Sequence, residues 1–243
     1  MSLRNALAYL TTLRIPPRAR TPLAHSVHYF PWVGAAIGSL NILAFLALTR
    51  IVPAPVACFV AVLLPQALTG FSPLRGVIEA ERGTHTLPGH GFPPGFRLDV
   101  RGAGIAAAFF CVKWASLLML SADWRVRAVF LFPIFGMCAR TTAFLMEPPA
   151  RRPRGPFAAR RRLRAAYLSG LQLFLAFLFP VRAALFILVA GAGATWWALR
   201  MGQRRSHGRV AGLTLQTAAV LSETAEAVVL AGLVIARLVL FRW

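Results

Sequence analysis

Carboxylates are scarce in this chain: five glutamates and two aspartates stand against 26 arginines and a single lysine in 243 residues. Only 14% of the residues are charged, while 58% are hydrophobic and the net charge is +20. Such a shortage of polar surface argues against a water-soluble domain; apolar helices in a bilayer with basic loops at one surface reconcile these numbers. The three cysteines, Cys58, Cys111 and Cys138, sit in apolar stretches and form no CxxC pair, which excludes a disulfide framework or a zinc site of that kind. No cleavable signal peptide, internal repeat or second soluble domain is visible. The arginines punctuate hydrophobic helices instead of forming a soluble basic face, which argues against nucleic acid as a partner and for membrane lipids.

What is present reads as an all-α polytopic membrane bundle of one domain, residues 1–243. Seven spans are expected near 32–50, 54–71, 103–121, 126–146, 165–180, 181–199 and 211–241. With the N-terminus in the cytoplasm, nineteen loop arginines fall on the cytoplasmic side and five opposite, as the positive-inside rule requires. Seven of them lie in 147–164. The multi-pass chain is thereby assigned to the cell (inner) membrane.

The first 30 residues are amphipathic. Leu3, Leu7, Leu10 and Leu13 recur at helical spacing, which predicts an interfacial helix ended by Pro16-Pro17. Gly34 and Gly38 give the first span a small-residue face for close helix packing.

Two stretches hold candidate chemistry. The segment Thr69–Arg101 reads as a long loop rich in Gly, Pro and His, carrying Glu79, Glu81, His85, His90 and Asp99. Glu79 and Glu81 alone make a weak metal site, and Arg75 and Arg82 stand at ion-pairing distance along a helix. The second stretch is the last span, where Glu223 and Glu226 lie three apart on one face. Ionisable groups at membrane depth are costly and either pair internally or serve function. Arg140 and Lys113, also inside apolar spans, are the candidate partners.

Several runs then carry a family resemblance. Ala8-Tyr9-Leu10-Thr11-Thr12-Leu13-Arg14-Ile15-Pro16, Ser26 and Tyr29-Phe30-Pro31-Trp32-Val33-Gly34 resemble the opening of cobalamin synthase, with its FLTRLP segment and FPLVGLLLG entry. Gly70-Phe71 through Gly83 resembles that family's GFHLDGLADTxDG motif, with one residue inserted. Asp99-Val100-Arg101-Gly102 resembles DSRxG, and Ala139-Arg140-Thr141-Thr142 resembles the start of SRGTAALLM. The run from Ala211 through Thr214 and Gln216 to Glu226 resembles GGxTGDxLGAxxELxE.

The resemblance implies an adenosylcobinamide-GDP ribazoletransferase, joining α-ribazole or its 5′-phosphate to activated cobinamide with release of GMP. It implies corrinoid and nucleotide substrates and a Mg²⁺ cofactor. It offers Glu79, Asp99, Glu223 and Glu226 as catalytic residues and Arg75, Arg82, Arg101, Arg140, Thr214 and Gln216 as phosphate or substrate binders. Glu79 and Glu81 are the candidate metal ligands.

The chain departs from the pattern where the family has aspartates: Arg75, Arg82 and Gln216 stand there. A guanidinium 4 Å from a divalent cation would repel it by about 8 kcal/mol at an effective dielectric near 20. Three readings stay open: a transferase; a relative that holds a corrinoid, nucleotide or partner without turnover; and an unrelated small transporter using Arg140, Glu223 and Glu226 as a relay. Self-association into a homo-oligomer also stays open.

Overall fold

The structure is a computed structural model that describes residues 3–12, 27–82, 100–146, 189 and 215–240. Every element among the described residues is helical. In chain order these are α1 (Leu3–Leu10), a 3-10 turn (Val27–Tyr29), α2 (Phe30–Leu48), α3 (Ala54–Leu68) and α4 (Ser72–Arg82). They are followed by α5 (Val100–Met119), α6 (Ala122–Met146) and α7 (Leu215–Leu240). The spans expected at 165–180 and 181–199, apart from residue 189, and the basic loop 147–164 lie outside the described residues.

Among the described residues three helices are long and apolar enough to cross a bilayer: α2, α5 and the Ala218–Val239 portion of α7. The 19 residues of α2 reach roughly 28 Å, the thickness of a hydrocarbon core. α3 and Ser72–Ile78 of α4 meet the same test as a pair bent by 83°. α6 packs between α2 and α7 as the middle of the bundle. Within the spanning windows, 72% of the α7 residues are buried against 22% for α5, so α7 is central and α5 peripheral. The described residues form a helical membrane bundle.

Close packing rests on small residues. A Cβ added to Gly38 would lie 2.3 Å from the carbonyl oxygen of Phe130, so α2 and α6 touch backbone to backbone there. Asn41 Nδ2, one turn on, donates to Val129 O at 3.2 Å across the same seam.

Three sequence expectations change. Residues 72–82 form a helix within the expected loop. α4 is amphipathic, and its Val77 and Ile78 are buried where the helix packs on α5 and α7. The flanking glycines and charges made it read as loop; tertiary burial of one face makes it a helix.

The second span also stops at Leu68. Gly70 (φ 62°) and Phe71 (φ 54°) take the left-handed conformation that ends a helix, and Phe71 N–H donates to Gln66 O at 2.7 Å. The chain then turns into α4.

Finally, α1 ends at Leu10, before Pro16-Pro17, whose placement lies outside the described residues. Thr11 folds back, its hydroxyl donating to Leu7 O at 2.7 Å, and Thr12 N–H donates to Leu68 O at 2.9 Å. The buried stripe of α1 is Ala6 and Leu10, with Tyr9 stacked on Phe30, while Leu3 is exposed. α1 therefore docks on α2 and the end of α3.

Candidate functional site: a buried charge cluster between four helices

Lys113 stands in the middle of α5, where every neighbour along the helix is apolar or small, and its ammonium is 1% exposed. Glu223 and Glu226 occupy adjacent positions on one face of α7, as their spacing of three requires. Lys113 Nζ lies 2.6 Å from Glu223 Oε2 and 2.5 Å from Glu226 Oε2. Gln66 on α3 completes the set, donating from Nε2 to Glu223 Oε1 at 2.7 Å. Pro65, just before it, leaves α3 intact up to Leu68. α6 contributes by absence: a Cβ at Gly136 would sit 2.1 Å from Glu226 Oε1, so glycine there makes room for the carboxylate. Four helices thus meet on one ion cluster.

Arg140 is one turn beyond Gly136 on α6, buried at 6% exposure. The fields of Glu223, Glu226 and Tyr9 reach it, but among the described residues it makes no ion pair within 4.0 Å, and its Nε–H is buried without a hydrogen-bond partner. The sequence offered Arg140 first as the partner of the two glutamates; the structure gives that role to Lys113. The reason is geometric: Lys113 comes from the side of α7 that carries the carboxylates, whereas Arg140 sits about one turn nearer the start of α7, beside Ala218 and Ala219.

There it lines a small cavity with Tyr9, Leu10, Phe30, Ser72, Ala218 and Ala219. The Tyr9 hydroxyl is also buried and without a partner. Burial pushes its phenol up to about 12, against the opposing pull of Arg140, so at neutral pH it is an O–H donor.

The other expected site residues are placed as follows. Arg75 is buried in the first turns of α4. Glu79, Glu81 and Arg82 belong to α4 by backbone, and Gln216 to the first turn of α7; their side chains lie outside the described residues. Asp99, Thr214, His85 and His90 lie outside altogether. Arg101 is exposed at the start of α5, about 18 Å along the helix axis from Lys113.

Among the described residues no group of three or more His, Cys, Asp or Glu is placed to hold a metal ion. Gln66, Gly136 and Tyr9 were not anticipated as site residues. Gln66 had a signal, an amide inside an apolar run beside a proline; the others depend on how helices approach.

The family described as Cobalamin-5-phosphate synthase matches residues 2–78, the stretch from α1 to most of α4. The adenosylcobinamide-GDP ribazoletransferase of Syntrophobacter fumaroxidans (strain DSM 10017 / MPOB) is 31% identical over 244 residues, covering 93% of this chain and 94% of that protein. No solved structure matches the chain.

Proposed function

The chain belongs to the cobalamin-5-phosphate synthase family, and from that premise we propose that it is an adenosylcobinamide-GDP ribazoletransferase of the cell (inner) membrane. In this reading an α-ribazole hydroxyl, or that of its 5′-phosphate, attacks the phosphorus that carries cobinamide. The bond from that phosphorus to the GMP oxygen breaks, GMP leaves, and the hydroxyl proton passes to a carboxylate. The observation that carries the reading is the Lys113–Glu223–Glu226 cluster, the two carboxylates of the family-like last helix held at the buried centre of the bundle.

Lys113 positions both carboxylates and offsets their charge. It engages Oε2 of Glu226 and leaves Oε1 toward Gly136. Glu223 and Glu226 are the proposed proton acceptors, with Glu79 and Asp99 assigned to the same catalytic set by resemblance. Arg75, Arg82, Arg101, Arg140, Thr214 and Gln216 form the proposed phosphate and substrate contacts. Seven spans with the N-terminus and the basic loops in the cytoplasm are supported by the arginine distribution, which brings a nucleotide substrate to the loop-rich face.

The described residues do not fit Mg²⁺. The two carboxylates of the cluster are taken by an ammonium at 2.5–2.6 Å, and Arg75 stands buried at the family's first aspartate position. No step is assigned to the ion here; Glu79 and Glu81 remain ligands by resemblance. A second reading, a relative that binds nucleotide without turnover, is favoured by the same buried Arg75.

The test is direct. Protein purified in detergent is given adenosylcobinamide-GDP, α-ribazole and Mg²⁺. GMP release above a blank is expected; none, with nucleotide still bound in EDTA, overturns the transferase in favour of the binding protein.

A further inference from the structure

Buried polar groups in folded proteins are nearly always hydrogen-bonded, because an unmet donor in an apolar setting is costly. Two donors here are unmet and share one cavity: Arg140 Nε and the Tyr9 hydroxyl. Ser72, the first residue of α4, and Ala218 and Ala219, at the N-terminal end of α7, complete the lining with Leu10 and Phe30. The N-terminal end of α4, which carries partial positive charge, therefore faces the same space as a guanidinium. Among the described residues no acidic side chain lines it. The cluster does not satisfy Arg140, which stands about one turn away beside Ala218 and Ala219.

We propose that this cavity is a phosphate-binding site, in which Arg140 grips the anionic oxygens, Tyr9 donates a hydrogen bond, and the N-terminal end of α4 adds positive field. Its volume of about 20 Å³ admits one or two oxygens. It therefore holds the edge of a phosphate ester and leaves any base or ring outside. The apolar walls strengthen each contact by excluding water. Tyr9 brings α1 into the site: the interfacial helix, stacked through Tyr9 on Phe30, covers the phosphate from the membrane surface. The site stands on the geometry; identifying its occupant as the substrate's phosphate rests on the transferase reading. An anionic lipid headgroup offers the same chemistry from a second source.

The test uses full-length protein, GDP as the soluble probe, and nanodiscs with or without phosphatidylglycerol. Tyr9→Phe removes a hydroxyl that bonds nothing among the described residues, so a structural role predicts unchanged melting and unchanged binding. The site predicts GDP binding weakened about tenfold by Tyr9→Phe and about a hundredfold by Arg140→Met, with the Tyr9→Phe melting temperature unchanged. Stabilisation by phosphatidylglycerol that both variants abolish, with GDP unaffected, supports the site with lipid as its source. GDP and lipid responses both equal to wild type in both variants overturn it. Variants that lose GDP binding while wild type releases no GMP leave the site standing and the transferase reading fallen. GMP release by wild type with fully active variants does the reverse.

Discussion

One ammonium, Lys113 Nζ, bridges Glu223 and Glu226 at 2.6 and 2.5 Å, tying peripheral α5 to central α7. Lys113 is also the only lysine in the sequence. Its removal leaves two buried carboxylates facing each other in a low-dielectric interior. Lys113→Met is expected to destabilise the protein by about 3–5 kcal/mol. Adding Glu223→Gln and Glu226→Gln to Lys113→Met should recover most of that loss, because neither position on α7 then carries an uncompensated carboxylate. Thermal melts in detergent read both effects; a Lys113→Met protein as stable as wild type contradicts the pairing.

Gly136 tests the position of Glu226 without touching a charge. The new methyl of Gly136→Ala would lie 2.1 Å from Glu226 Oε1 and must displace it. Activity is expected to fall at least tenfold while helix content by circular dichroism is unchanged. Gly104→Ala, whose methyl would meet nothing within 4 Å, is the control, and higher helix propensity should leave it neutral or slightly stabilising. Equal activity in the two variants would show that Glu226 is not held where the chemistry needs it.

The α2–α6 seam predicts a graded pair. Gly38→Ala pushes a methyl to 2.3 Å from the Phe130 carbonyl oxygen, whereas Gly34→Ala meets Ile134, Pro133 and Met137 atoms at 3.0 Å. Backbone atoms stand against both methyls, but the overlap is deeper at Gly38, so Gly38→Ala should cost about 1–3 kcal/mol and Gly34→Ala less. The order of the two melting temperatures is the readout, and a reversed order contradicts the packing.

Ionisable residues inside apolar runs were legible in the sequence, because the bilayer makes them stand out: Lys113, Arg140, Glu223 and Glu226 all prove buried. Their pairing was not legible. Linear spacing places two glutamates on a face but says nothing of which neighbouring helix supplies the cation. α4 was hidden for a similar reason. Its polar residues and flanking glycines match a loop, and only burial of Val77 and Ile78 against α5 and α7 decides for a helix. The 83° bend follows from Gly70 and Phe71 adopting positive φ, which Gly70 signals weakly and Phe71 not at all. Tyr9 entered the resemblance only as part of a motif; its place over Arg140 emerges when α1 folds onto α2.

The account turns on whether the carboxylates held by Lys113 serve transfer of a phosphate-linked group. The measurement is GMP release from adenosylcobinamide-GDP and α-ribazole by wild type and Glu226→Gln, alongside their melting temperatures. Glu226→Gln keeps the shape, and with Glu223 still ionised Lys113 keeps a counter-charge. The predicted result is turnover reduced about a hundredfold or more with a folded, cooperatively melting protein. A Glu226→Gln protein that releases GMP at the wild-type rate would contradict it.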